Sequence, residues 1–182
     1  KANAVFDTLF GRVSTKCPAS IMRHHFGAKM YLDCDSARHV IFKKAIISDE
    51  VTQDFVKAAQ FASKHRLLGL ELRSAFDKAP EDLKPHHIKK IKAALKKYNL
   101  VIPAIDSSIF KCQWGENQDY KISRAIKLAK ELNSKYIRVF SYFQSDNYSD
   151  KKFAIEIRKL ADKAETEGII IVIESDPSVN LT

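Results

Sequence analysis

Glu174, Ser175 and Asp176 stand directly behind an unbroken apolar run, Ile169-Ile170-Ile171-Val172-Ile173. β-Branched residues without polar alternation suit a parallel strand covered on both faces, and the carboxyl ends of such strands line the ligand site of α/β proteins. A carboxylate placed there can take up and release a proton, which makes Glu174 the first candidate for function. Two plainer roles stay open for it: capping the next helix, or pairing with a neighbouring arginine. Other strand-like segments also end in polar side chains, with Asp49 and Glu50 after residues 44–48, Arg73 closing 67–73, and Asp106, Ser107 and Ser108 at the end of 100–106.

The elements that must position these residues alternate regularly from residue 42 onward. Short apolar segments at 44–48, 67–73, 100–106, 136–143 and 169–173 read as strands. Between them, apolar residues at helical spacing mark amphipathic helices over 52–65, roughly 80–98, 122–132 and 153–164. Asn99 is placed for a left-handed helix cap, and Gly168 closes the last helix. Alternating strands and helices predict βα units around a parallel sheet. Period two sets Gly69, Glu71 and Arg73 on one face of the second strand, and Arg138, Phe140 and Tyr142 on one face of the fourth. A Glu and an Arg on the face turned away from the helices need partners, which predicts an interior ion pair between Glu71 and Arg138. Trp114 lies in a loop after the third strand that is rich in aromatic and polar residues. It reads equally as a wall facing a ligand and as a cover on the core edge.

The 182 residues are 45% hydrophobic and 29% charged, enough for one sizeable core. No apolar run approaches bilayer length and the first residues lack the order of a signal peptide, so the expectation is a cytoplasmic protein with no membrane partner. Cys17, Cys34 and Cys112 are odd in number and show no CxxC spacing, which indicates neither a disulfide framework nor a ribbon-type zinc site. The series Cys17, His24, His25, Cys34, His39 matches no standard metal spacing, and His86 and His87 read as surface residues. The net charge of +9 comes largely from lysines such as Lys89, Lys90, Lys92, Lys96 and Lys97, read here as a solvated helix face in preference to a nucleic-acid site. Residues 1–41, with only 29–33 suggesting a strand, read as an N-terminal extension of unclear structure ahead of a barrel portion over 42–182. A chain beginning at Lys1 and ending at Thr182 reads as a piece of something longer.

In order and spacing, Ile47-Ser48-Asp49-Glu50, Gly69-Leu70-Glu71-Leu72-Arg73, Tyr136-Ile137-Arg138-Val139-Phe140 and Gly168 through Ile173-Glu174 resemble the xylose isomerase-like TIM barrels, the sugar phosphate isomerase and epimerase superfamily. The resemblance covers residues 44 to 177. It implies a (β/α) TIM barrel, here as an incomplete N-terminal portion of about five βα units. It also implies a divalent metal (Mg, Mn, Co or Zn) in the intact protein, with Glu174 as metal ligand and acid/base group. The family's other ligands come from later strands, and Ser175 and Asp176 stand where many relatives have Asn after the glutamate.

On this basis the chain is expected to be part of a metal-dependent isomerase or epimerase acting on a sugar, sugar phosphate or inositol-derived substrate. Arg73, Asp106, Ser107 and Trp114 are its substrate-side candidates. Two alternatives remain. An apurinic endonuclease-like phosphodiesterase fits the positive charge, but has Arg73-Ser74 and Asp106-Ser107 where that branch resembles a site with histidine ligands. A shortened barrel that binds a partner or forms a homo-oligomer fits the open sheet edges that five βα units would leave.

Overall fold

The computed structural model describes residues 44–180. The expectations for residues 1–41, including the cysteine and histidine series and the strand at 29–33, lie outside the described residues.

Five short strands follow one another in sequence, β1 (Ala45–Ile47), β2 (Gly69–Glu71), β3 (Ala104–Asp106), β4 (Tyr136–Val139) and β5 (Ile170–Ile173). All named pairings are parallel: β1 with β2, and β3 with β4 and β4 with β5. Parallel bridges from Gly69 to Val101 and from Leu72 to Ile105 bring β2 alongside β3. Strand order in space is therefore strand order in sequence, which parallel strands reach only through crossover helices.

A single turn, α1 (Ser48–Val51), precedes α2 (Phe55–Lys64), and α3 (Pro85–Tyr98), α4 (Asp119–Leu132) and α5 (Asp150–Glu165) supply the later crossovers. Their ends follow local chemistry. Asp54 caps α2 by accepting from the amides of Val56 at 3.0 Å and Lys57 at 3.2 Å. Pro85 opens α3, and Asn99 and Asn133 end α3 and α4 with φ of 52° and 53°.

One face of the sheet is the core. Leu70, Leu72, Ile105, Ile137 and Val139 are fully buried against helix residues such as Phe55, Ala59, Ile91 and Ala129. Burial of this kind contributes roughly 1.5–3 kcal/mol per large apolar side chain, and it fixes strand register because a one-residue slip would turn every such side chain outward. The opposite parity carries Gly69, Glu71, Asp106 and Arg138. The core thus forces the polar set to the other face.

The stretch around β5 departs from the expectation of cover on both faces. Ile170, Val172 and Ile173 are 44%, 37% and 42% exposed. The cause is position, since β5 pairs with β4 on one side and with no strand on the other among the described residues. No described helix is long and apolar enough to cross a membrane.

Candidate active site

The carboxyl ends of the strands gather the chain's charged residues into two groups. At the first, Asp49 and Glu50, on the turn that follows β1, hold Arg73 beyond β2. The Arg73 guanidinium donates to Asp49 Oδ2 at 2.8 and 3.0 Å and to Glu50 Oε1 at 2.7 Å. The hydrogen bonds to Asp49 raise the pKa of Arg73 above its already high ordinary value, with burial opposing. Arg73 is thereby fixed as a cation facing the strand ends, with its guanidinium shared between two carboxylates.

The second group spans three neighbouring strands. Asp106 of β3 is level with Arg138 of β4, and Arg138 with Val172 of β5; Glu174 lies two residues further on the same parity. Arg138 Nη1 donates to Glu174 Oε2 at 2.7 Å, while its Nε lies 3.9 Å from Asp106 Oδ1. That Nε is buried without a hydrogen-bond partner. The guanidinium also sits over the Phe140 ring, 4.4 Å from its centroid, with Lys111 against the same ring at 4.4 Å. Lys111 in turn reaches Asp176 at 3.1 Å.

Burial pushes the Asp106 carboxyl from its ordinary range up to about 6. Arg138 opposes the rise, and the negative charges of Glu71 and Glu174 add to it. A buried carboxyl poised near neutrality beside an exposed carboxylate and a cation can hold a proton in one state and release it in the next. This is the chemical capacity of the site: proton transfer, with positive charge at hand for a developing oxyanion.

The expected Glu71–Arg138 pair does not form. Parity placed both residues on the same face, but parity does not fix the layer. Leu72 aligns with Ile105 and Ile105 with Ile137, so Glu71 lies one layer below Arg138, while Asp106 lies level with it. Of the two plainer roles left open for Glu174, pairing with an arginine is the one seen.

Ser107 is buried in the turn after β3. Its hydroxyl donates to the carbonyl of Arg138 at 2.6 Å and accepts from the amide of Ile109 at 3.4 Å, so it ties β3 to β4 directly behind Arg138. Trp114 is not brought to the charged row. It stands edge-on to Tyr142 at 4.8 Å and to Tyr148 at 5.2 Å, in an aromatic cluster with Phe110 and Phe153. A cavity of about 450 Å³ opens beside that cluster between α4 and α5, lined in part by Gln118, Tyr142 and Glu156, and none of the strand-end carboxylates borders it.

Several participants carry no local signal in the sequence. Period two puts Phe140 on the Arg138 face, but nothing in the strand pattern announces a platform for two cations. Lys111 and Asp176 meet across 65 positions, which no local pattern announces. Glu81, read as part of a helix start, is buried and accepts from the Ser108 amide at 2.9 Å, fixing the turn after β3.

The donor set does not by itself fit a bound metal ion. Glu174 Oε2 is engaged by Arg138, and no three His, Cys, Asp or Glu side chains converge among the described residues. Glu174 is one oxygen donor, not a ligand set.

A model of the family described as "Xylose isomerase-like TIM barrel" matches residues 59–180. A search of curated proteins finds no match. Among solved structures, the chain is similar to the probable 3-DHS dehydratase AsbF involved in petrobactin synthesis from Bacillus anthracis. Identity is 16%, with 75% of this chain and 53% of that chain covered and a TM-score of 0.59. It is also similar to a xylose isomerase domain-containing protein from Salmonella typhimurium, at 15% identity with 73% and 49% covered and a TM-score of 0.55. A xylose isomerase-like TIM barrel protein from Mycobacterium smegmatis, solved in complex with magnesium, gives 12% identity, 75% and 56% covered, and a TM-score of 0.53. At these identities the likeness shows the fold, and the chain spans about half the length of each of these three proteins.

Proposed function

We propose that this chain, which belongs to the xylose isomerase-like TIM barrel family, supplies the proton-transfer part of an active site that isomerises or epimerises a sugar, sugar phosphate or inositol-derived compound. Members of the family include sugar isomerases and epimerases. The observation that carries the reading is the Asp106–Arg138–Glu174 row, two carboxyl groups of different burial on either side of one guanidinium at the carboxyl ends of adjacent strands.

In this reading Glu174 takes the proton from the carbon beside a substrate carbonyl, leaving an enediolate. Returning that proton from Glu174 to the adjoining carbon, while the hydroxyl proton passes between the two oxygens, gives the isomer; the epimer needs a second acid on the other face of the carbon. Asp106, with its pKa near 6, exchanges a proton with the substrate oxygens in the same pH range. Arg138 holds the Glu174 carboxylate in place and stands over Phe140 as the nearest fixed positive charge. Arg73, clamped by Asp49 and Glu50, faces the substrate side, and Ser107 keeps the Arg138 backbone in register.

The described residues form no donor set for a divalent metal (Mg, Mn, Co or Zn), and no step of this reading runs through one.

The test is solvent exchange. The full-length protein containing this chain, with added Mg²⁺ or Mn²⁺, is incubated in D₂O with a panel of aldoses, ketoses, their phosphates and inososes, and deuterium is followed at the carbon beside the carbonyl. Glu174→Gln is expected to slow exchange by about 100-fold or more. Exchange with no member of the panel, or exchange unchanged in Glu174→Gln, would remove the reading.

A further inference from the structure

Away from the strand ends, α3 concentrates the chain's positive charge. From Lys84 to Tyr98 the sequence holds six lysines and two histidines and no acidic residue, against a net charge of +9 for the whole chain. By contrast α5 mixes Lys151, Lys152, Arg158 and Lys159 with Asp150, Glu156, Asp162 and Glu165. Helical spacing puts Ile88, Ile91 and Ala94 into the core and Lys89, Lys92 and Lys96 on the outer face, with Lys90 and Lys97 beside them, all exposed. Lys92 alone of these has a carboxylate in reach, Glu131 at 3.9 Å; the others make no ion pair among the described residues. Like charges at three- and four-residue spacing repel, so this arrangement is held against its own electrostatics.

A second feature adjoins the first turn of the helix. Phe76 stacks on His87 with ring centroids 5.0 Å apart and planes 16° apart, and His86 lies 3.9 Å from His87. Lys90 stands over Phe76 at 5.8 Å. Phe76 and Asp77 are both held in left-handed backbone, with φ of 57° and 56°, a conformation that non-glycine residues adopt at a cost. A basic helix face thus continues into a set of stacked rings.

We propose that the outer face of α3, with the Phe76–His87 corner, is an interaction surface for the phosphodiester backbone of nucleic acid, bound without regard to sequence. The lysines run along a helix about 21 Å long, which lies against several successive phosphates at once. Lysine supplies point charges for phosphate without the fork geometry that reads base edges. The rings suit contact with a backbone sugar at the end of the track, since the bases of a duplex are stacked on one another. The exposed face offers no large apolar side chain to enter a bilayer. This surface lies on the outside of the helical layer and is independent of the proton-transfer reading.

The experiment is fluorescence anisotropy of a labelled 20-base-pair DNA duplex of mixed sequence with the full 182-residue chain, from 50 to 200 mM NaCl. With four to five phosphates neutralised, log K is expected to fall with log salt at a slope of about −4. Lys89→Glu/Lys92→Glu/Lys96→Glu should weaken binding by roughly 30-fold or more at 50 mM and flatten the slope by about 2 to 3. The same charge change on α5, Lys151→Glu/Lys152→Glu/Lys159→Glu, should alter binding by less than about 3-fold. Glutamine replacements at Lys89, Lys92 and Lys96 carry the same comparison if charge reversal unfolds the chain. Absence of saturable binding at 50 mM, equal losses on α3 and α5, or tighter binding of poly-glutamate or anionic vesicles than of the duplex would each overturn the proposal.

Discussion

Arg138→Leu is expected to lower stability by about 2–3 kcal/mol at pH 8 and by clearly less at pH 5. The side chain is 12% exposed and lies between a buried carboxyl and a half-exposed carboxylate. Its bond to Glu174 is short, but Glu174 keeps water and loses little when the guanidinium goes. Asp106 does not: at 6% side-chain exposure it would keep its charge with Arg73 as the remaining cation level with it, and that guanidinium is already shared between Asp49 and Glu50. The lower end of the usual cost of stripping a buried pair applies because the Nε–Oδ1 separation is 3.9 Å rather than a hydrogen bond.

The pH dependence follows from the direction of the Asp106 shift. Its folded pKa of about 6 exceeds the ordinary value, so the folded chain binds this proton more tightly than the unfolded chain. Asp106 therefore withdraws stability as pH rises from about 4 through about 6, and its contribution is constant above about 7. Removing Arg138 extends that window upward, since the cation opposes the rise. Urea denaturation of wild type, Arg138→Leu, Asp106→Asn and the double variant at both pH values measures this. The double variant should recover most of the Arg138→Leu loss; additive losses, the same at pH 5 and pH 8, would show that the two residues do not interact.

Gly69→Ala is expected to cost about 2–3 kcal/mol, from a different cause. A Cβ on Gly69 would meet the carbonyl oxygen of Val101 at 2.8 Å and Cδ of Pro103 at 3.0 Å. Neither is the tip of a flexible side chain, so β2 must move away from the β3 segment. That movement stretches the hydrogen bonds from the Leu70 amide to Val101 at 3.0 Å and from the Val101 amide to Leu68 at 3.1 Å. These are two of the four backbone bonds that join β2 to the β3 segment, and Arg73 rides on that join. Thermal and chemical unfolding should both show the loss. A variant as stable as wild type would mean that the β2–β3 contact is looser than 2.8 Å implies.

The fold was legible because burial writes a period into the sequence. Leu70, Leu72, Ile137 and Val139 had to face helices, and that alone set which side of each strand Glu71 and Arg138 would take. The five strands, the helices between them and the left-handed Asn99 followed from equally local signals. What stayed hidden depends on the stagger between strands, which no single segment encodes. Glu71 and Arg138 share a face but not a layer, and Asp106 took the place foreseen for Glu71. The exposure of β5 was equally hidden, because Ile170 to Ile173 look the same in sequence whether the strand is central or at an edge. Trp114 shows the limit for loops. Its setting suited a ligand wall and a cover on the core edge equally, and only the contacts with Tyr142, Tyr148 and their neighbours draw it into an aromatic cluster.

Asp106 stands as a buried acid with its pKa raised to about 6, in line with Arg138 and Glu174. Carbon-detected NMR titration of the Asp106 side-chain carboxyl, assigned by its loss in Asp106→Asn, measures this in the chain itself without any substrate. The expected result is a midpoint near 6 that moves higher in Arg138→Leu. A midpoint at the ordinary aspartate value of about 4, unmoved by Arg138→Leu, would contradict it.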